Sequence, residues 1–306
     1  MKIMVSGLVN VETNIKIREF PVSYYPVDYP FFGIASSVGG VAYNVSKALS
    51  KLGNEVELIS YTGKDFEAER IFTELEKNKI GFSKIRKELK ETPVSAILYD
   101  AQGKRQIYCD LKDIQEKTYV YNEKEQNMDD YDIIVLCNIN FNRELLKKAK
   151  KSGKLIATDV HVLSNIEDDY NKDFMECADI LFLSDEQLPA SAEEFILQIK
   201  ERYPAKIVVI GRGSKGALLY DRERNQVTNL GAVKVGEVVN TVGAGDALFS
   251  SFLHFYGKGY EPVEALKRAE VFASAKIREN GAANGFIEEK EVEQLYSKGE
   301  LKFSCK

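Results

Sequence analysis

The chain has 306 residues, 44% of them hydrophobic and 29% charged, and 42 basic against 47 acidic residues leave a net charge of −5. That interspersed balance argues against a general nucleic-acid or membrane-surface binder, and the length suits one large α/β domain or two small ones. Four widely spaced cysteines (Cys109, Cys137, Cys177, Cys305) and only two histidines (His161, His254) predict reduced thiols rather than a disulfide framework or a zinc site.

In chain order, Lys2 to Val9 reads as a buried strand. No cleavage pattern follows it, and no run reaches the roughly 18 to 20 apolar residues of a membrane span, so a cytoplasmic protein is expected. Asn10 and Glu12 sit just beyond that strand's carboxyl end, where open α/β sheets bind ligands. Thr13 to Phe20 and Phe31 to Val38 are strand-like, joined by a proline- and tyrosine-rich segment, and predict a hairpin apart from the rest. Gly39-Gly40 opens a helix to about Leu52, with Asn44 on its first exposed turn, and glycines there allow a ligand close to the backbone. Strand Val56 to Tyr61, helix Phe66 to Asn78 and strand Phe82 to Lys87 follow. Val94 to Tyr99 and Arg105 to Cys109 straddle Asp100-Ala101-Gln102-Gly103-Lys104, a second hairpin that would bring Asp110 near a substrate mouth.

Ile133 to Cys137 is a buried strand ending at Asn138. Helix Arg143 to Ser152 and a strand from Leu155 ending at Asp159 come next, so Asn138 and Asp159 are candidate pocket lining. Helix Lys172 to Cys177, strand Ile180 to Leu183, helix Ala192 to Arg202 and strand Ile207 to Ile210 complete a doubly wound α/β pattern. His161 and His254 read as a loop residue and a partly buried helix residue. Gly211-Arg212-Gly213-Ser214-Lys215-Gly216 fits G-x-G-x-x-G, yet Ala217 to Tyr220 continues as a strand where a dinucleotide fingerprint needs a helix. A glycine-rich turn between strands instead suits a surface over nucleotide phosphates.

Val238 to Phe249 carries the strongest signal. A Gly243-Ala244-Gly245 turn leads into an apolar-periodic helix, leaving its first N–H groups open to an anion at the positive end of the helix dipole. Asp246 puts a carboxylate at the same place, able to take a proton from an attacking hydroxyl while the amides stabilise a phosphoryl group. Helices at about Pro262 to Glu279 and Glu288 to Ser297, joined by a glycine-rich link at 280–285, finish the chain.

Asn240-Thr241-Val242-Gly243-Ala244-Gly245-Asp246 resembles the D-T-x-G-A-G-D signature of the ribokinase-like (PfkB-type) carbohydrate and nucleoside kinases. Gly39-Gly40-Val41-Ala42-Tyr43-Asn44-Val45-Ser46-Lys47-Ala48-Leu49 with Leu52-Gly53 resembles the family's G-G-x-x-x-N-x-A-x-x-L-x-x-L-G, and Thr62-Gly63-Lys64-Asp65 its V-G-x-D turn. The resemblance covers nearly the whole chain and implies a single kinase domain over 1–306. Its fold would be three-layer α/β/α, doubly wound around a mostly parallel sheet, with a small β lid from 11–37 and about 94–112. It implies transfer of the γ-phosphoryl group of ATP to a sugar or nucleoside hydroxyl. Asp246 is then the base, Gly243, Ala244 and Gly245 the anion hole, and Asn10, Glu12, Gly39, Gly40, Asn44, Asn138 and Asp110 the acceptor site. Arg212, Gly213, Ser214, Gly216, Thr241 and Gly281 line the ATP side, and relatives commonly dimerise through the lid.

The departures from the pattern are also informative. Mg²⁺ would enter with the nucleotide, but Ser184-Asp185-Glu186-Gln187 stands where many members have N-x-x-E, a departure that implies a water-mediated magnesium contact either weakened or moved to Glu186. Asn240 replaces the leading Asp that commonly helps hold K⁺, which argues against potassium activation. Asn240 together with Leu136-Cys137-Asn138-Ile139 is similar to the pseudouridine kinases of the family. A catalytically silent sugar or nucleoside sensor on the same fold is the alternative. The absence of a G-x-x-x-x-G-K-[ST] motif and of protein-kinase motifs excludes those kinase classes.

Overall fold

The computed structural model describes residues 1–122 and 127–297; Cys305 lies outside them. Six strands, β1 (Lys2–Ser6), β4 (Glu55–Ile59), β7 (Ile133–Leu136), β8 (Leu155–Asp159), β9 (Ile180–Ser184) and β10 (Ile207–Gly211), run parallel in one sheet. An antiparallel hairpin of β11 (Ala217–Asp221) and β12 (Gln226–Leu230) extends it to the order β12-β11-β10-β9-β8-β7-β1-β4. Alternate residues of each central strand enter different cores, so the strands read as unbroken apolar runs. Ile3, Val5, Ile133 and Val135 face α1 (Val41–Lys51), α2 (Phe66–Lys77), α6 (Ala244–Gly257), α7 (Pro262–Lys276) and α8 (Glu289–Ser297). Met4, Ile134, Leu136 and Val208 face α3 (Arg143–Ser152), α4 (Lys172–Cys177) and α5 (Ala192–Arg202). The result is a three-layer α/β/α sandwich.

Local sequence sets the helix limits. Ser191 and Glu194 form a capping box at the start of α5, and Gly153, at φ 67°, ends α3 in a left-handed cap that a side chain would strain. β1 lies between β4 and β7, so strand order reverses there and opens a crevice at the carboxyl ends of β1 and β7. Asn142 ties that crevice together, its Nδ2 donating to the Ser6 and Cys137 carbonyls at 2.9 and 2.8 Å.

A second sheet, in the order β3-β2-β5-β6, consists of β2 (Asn10–Lys16), β3 (Ile34–Gly39), β5 (Val94–Tyr99) and β6 (Arg105–Asp110). In its register Glu12 lies beside Ser37 and Ser95, whereas Val11 lies beside Val38 and Val94, so the two rows face opposite ways. The Val11–Thr13–Ile15 face lies against α2, where Arg70 donates to the Ser36 hydroxyl at 2.8 Å. The opposite face looks toward the loop before α6 across a cavity of about 560 Å³ lined by Asn14, Lys16, Tyr99, Arg105, Asn240 and Thr241.

Two elements differ from the sequence reading. Phe82 to Lys87 is not a strand: the Ile85 N–H folds back to the Phe82 carbonyl at 3.1 Å, leaving only single bridges from Gly81 and Arg86 to the β4 side. β12 was not anticipated, because its exposed Gln226 and Val227 give a weak alternation after a charged turn.

Candidate active site

Asp246 lies in the first turn of α6, whose cap residue Gly243 has φ 78°. A side chain is excluded there twice over, by that backbone angle and by the Ala282 carbonyl oxygen, which would lie 2.2 Å from a Cβ. The Ala244 N–H turns back to the Thr241 carbonyl at 3.1 Å. The N–H groups of Gly243, Gly245 and Asp246 have no acceptor among the described residues. Three donors at the positive end of a 14-residue helix thus open outward, an arrangement that suits a phosphate. Ala244, expected to be one of the donors, contributes the bend instead.

Asn44, expected on an exposed turn of α1, is buried and donates from Nδ2 to the Asp246 carboxylate at 2.7 Å. The two motifs, about 200 residues apart, therefore meet. Burial raises the Asp246 carboxyl above its ordinary value; His161, the Asn44 bond and Lys276 pull it back, while Asp159 adds to the rise. Asp159 and His161 are adjacent, with the His161 N–H on Asp159 Oδ1 at 2.8 Å, so the loop after β8 faces Asp246 electrostatically. Cys137, a buried thiol pushed up by burial and by both carboxylates, is inert.

On the acceptor side, Asn10 is buried with Nδ2 on the Ser95 hydroxyl at 2.7 Å. Its Oδ1 and that of Asn44 are both buried with no donor among the described residues. Glu12 accepts the Gly40 N–H at 3.2 Å, and its carboxyl is raised by burial and, to a lesser extent, by Asp246. Gly39 leaves room for it: a Cβ there would fall 2.2 Å from Glu12 Cδ. A Cβ on Gly40, itself at φ 90°, would fall 2.6 Å from the Leu8 carbonyl oxygen. Asn10, Glu12 and Asn44 thus gather hydrogen-bond acceptors beside a carboxylate base, which suits a ligand rich in hydroxyl donors.

Two expected acceptor residues are not brought to this cluster. Asp110 ends β6 in the Val11 row, on the face turned away from Glu12, and pairs with Lys112 at 2.6 Å. Asn138 donates to Asn171 at 2.9 Å and accepts from the Tyr170 hydroxyl at 3.0 Å, bracing the loop after β7.

Gly213–Lys215 form a tight turn between β10 and β11, closed by the Arg212 N–H on the Gly216 carbonyl at 2.7 Å. Gly213 and Ser214 are exposed, while a Cβ on Gly216 would meet the Leu230 carbonyl oxygen at 2.1 Å. The Arg212 guanidinium is committed to Glu193, at 2.9 Å, and to Asn229, so it braces the turn rather than reaching beyond it. Burial pushes the Glu270 carboxyl up to about 8, with the Arg212 charge opposing. Gly281, at φ 91°, lies in the loop after α7, and Thr241 is exposed at the mouth of the α6 loop.

Metals find no ready cage. Among the described residues no three His, Cys, Asp or Glu side chains gather to hold one, and exposed Glu186 bonds through its N–H to Ser184 Oγ at 3.2 Å. The residues before α6 do not fit a monovalent cation. Asn240 Oδ1 accepts the Val242 N–H at 2.8 Å, and the Val242 carbonyl accepts from the Lys276 ammonium. Lys276, unremarked in the sequence, is fully buried, which lowers it to about 8 against the pull of Asp246. No helix among the described residues is long and apolar enough to cross a membrane.

Residues 2–290 match the model of the pfkB family carbohydrate kinases. A nucleoside kinase of Methanocaldococcus jannaschii is 25% identical over 273 residues, covering 85% of each chain. The microbiome-derived acarbose kinase Mak1 superposes with a TM-score of 0.85 at 22% identity, covering 96% of this chain and 98% of that one. Arabidopsis thaliana ribokinase complexed with ribose and ATP does so with a TM-score of 0.81 at 18% identity, covering 96% and 98%.

Proposed function

The chain belongs to the pfkB family of carbohydrate kinases, phosphotransferases with an alcohol as acceptor, and on that premise we propose that it moves the γ-phosphoryl group of ATP to a sugar or nucleoside hydroxyl. One observation carries the reading: a half-buried carboxylate, raised by burial, shares the first turn of α6 with three unclaimed amides. As the acceptor oxygen bonds to the γ-phosphorus and the bond to the β-bridging oxygen breaks, Asp246 takes the hydroxyl proton and ADP leaves. The amides of Gly243, Gly245 and Asp246 bind the charge accumulating on the transferred group. Asn10, Glu12 and Asn44 accept hydrogen bonds from neighbouring hydroxyls and set which one faces Asp246. Gly213, Ser214, Thr241 and Gly281 border the nucleotide, with Arg212 bracing the turn beneath. Mg²⁺ would enter with ATP and would neutralise phosphate charge there, with exposed Glu186 the candidate side chain to meet its water shell.

The sheet holding 10–16, 34–39, 94–99 and 105–110 serves as the lid over the acceptor. Exposed Tyr24, Phe31 and Phe32 beside it support self-association through the lid, which sedentimentation across protein concentration tests. The acceptor class is open between nucleosides, pseudouridine included, and sugars, since the same acceptors bind either. ADP release from Mg-ATP over a panel of nucleosides, ribose, fructose and their phosphates tests the reading. Turnover with one compound is the expected result; ligand-induced stabilisation without turnover across the panel would instead favour a silent sensor.

A further inference from the structure

The loop into α6 is anchored from behind by the end of α7. Val239 and Asn240 both donate their N–H groups to the Ile277 carbonyl, at 2.9 and 3.0 Å, and Lys276 Nζ donates to the Val242 carbonyl. Lys276 has no exposed surface, and among the described residues the one charge acting appreciably on it is that of Asp246. Burying an ammonium without a contacting carboxylate is costly, and a methionine would fill the same space at lower cost to the fold. Packing alone therefore gives no reason for a positive charge at this position.

Peptide geometry supplies one. The only cis bond among the described residues is Phe20–Pro21, so the 242–243 peptide is trans and planar, with the Val242 C=O and the Gly243 N–H pointing opposite ways. An ammonium holding the carbonyl turns the Gly243 N–H to the open side and strengthens it as a donor by drawing charge toward the oxygen. The same carbonyl is the i−4 acceptor that Asp246 N–H would meet in a regular helix, and the Asp246 amide has no acceptor here. We propose that Lys276 is a positioning residue for phosphoryl transfer, a tethered monovalent cation behind the anion hole. It aims the Gly243 and Asp246 amides at the transferred group and offsets the charge that group gathers, so the enzyme needs no dissolved potassium. No bond to Lys276 forms or breaks. This role rests on reading the start of α6 as the phosphoryl site.

The test compares wild type with Lys276→Met, Lys276→Arg and Lys276→Ala in KCl, NH₄Cl or tetramethylammonium chloride at one ionic strength. Calorimetric affinity for Mg-ATP and Mg-ADP, ATP turnover and the melting temperature are read for each. Wild type is expected to ignore the choice of cation. Lys276→Met is expected to melt no lower than wild type and to keep its Mg-ADP affinity, yet to lose about tenfold in preference for Mg-ATP and about 10²-fold in turnover. Lys276→Arg should recover part of both, and Lys276→Ala should be rescued by NH₄⁺ or K⁺ but not by tetramethylammonium. Wild-type ATP preference and turnover in Lys276→Met, or several-fold potassium stimulation of wild type, would overturn the role and leave the kinase reading standing. A wild type that binds no Mg-ATP would sink both.

Discussion

The two sheets are built in opposite ways. In the large sheet β7 is buried at every position and β10 at all but its last, and the α6 loop above it is tied to Ile277 and Lys276. In the small sheet β6 is exposed at every position, and β3 is exposed from Ile34 to Ser37. The α6 loop is fixed by bonds to a packed helix, and Asn10 and Asn44 are fixed by burial, whereas the outer positions of the small sheet that line its open cavity, such as Asn14 and Lys16, sit where side chains change at little cost to the fold. Kinases of one architecture can therefore share chemistry while differing in acceptor.

Substitutions on the two sides sharpen that contrast. Asp246→Ala should lose about 10²- to 10⁴-fold in turnover while keeping Mg-ATP affinity, measured by steady-state kinetics and calorimetry. Asn44→Ala, which strips the carboxylate of its one side-chain donor among the described residues, should cost about ten- to a hundredfold in kcat and shift the acid limb of the pH–rate profile upward, since that bond lowers the Asp246 carboxyl. Glu270→Gln should act on stability alone. From its ordinary 4.5 to about 8 the fold retains a proton that the unfolded chain releases, so this group's contribution to stability falls as pH rises through that window. The variant's gain in melting temperature should be near zero at pH 4.5 and largest near pH 8, where it corresponds to about 2 kcal/mol or more. Asn14→Ala, on the small-sheet face that lines the cavity toward the α6 loop, should change acceptor KM by about tenfold or less with kcat kept; an equal fall in kcat would break the division between the two sheets.

Much of this was legible in the sequence, for identifiable reasons. Strands buried on both faces give apolar runs such as Ile133–Leu136, and the Gly-Ala-Gly-Asp turn predicts open amides at the start of a helix because only small residues leave them uncovered. What stayed hidden depends on distant partners. Nothing in the sequence singles out Lys276 from other residues near a helix end; its part is visible only once α7 is docked behind the loop. Arg212 reads as part of the ATP-side lining, and only the structure shows its guanidinium held by Glu193 and Asn229. Asp110 stands one residue out of phase with the strand row that faces the site, and a shift of one position reverses a side chain's face.

The most direct test of the anion hole follows the backbone amides of Gly243, Ala244, Gly245 and Asp246 by ¹⁵N–¹H NMR while Mg-ADP is exchanged for a non-hydrolysable Mg-ATP analogue. The account predicts large downfield shifts at Gly243, Gly245 and Asp246 and little change at Ala244, whose N–H already belongs to Thr241. Shifts confined to other parts of the chain, with these four amides unmoved, would contradict it.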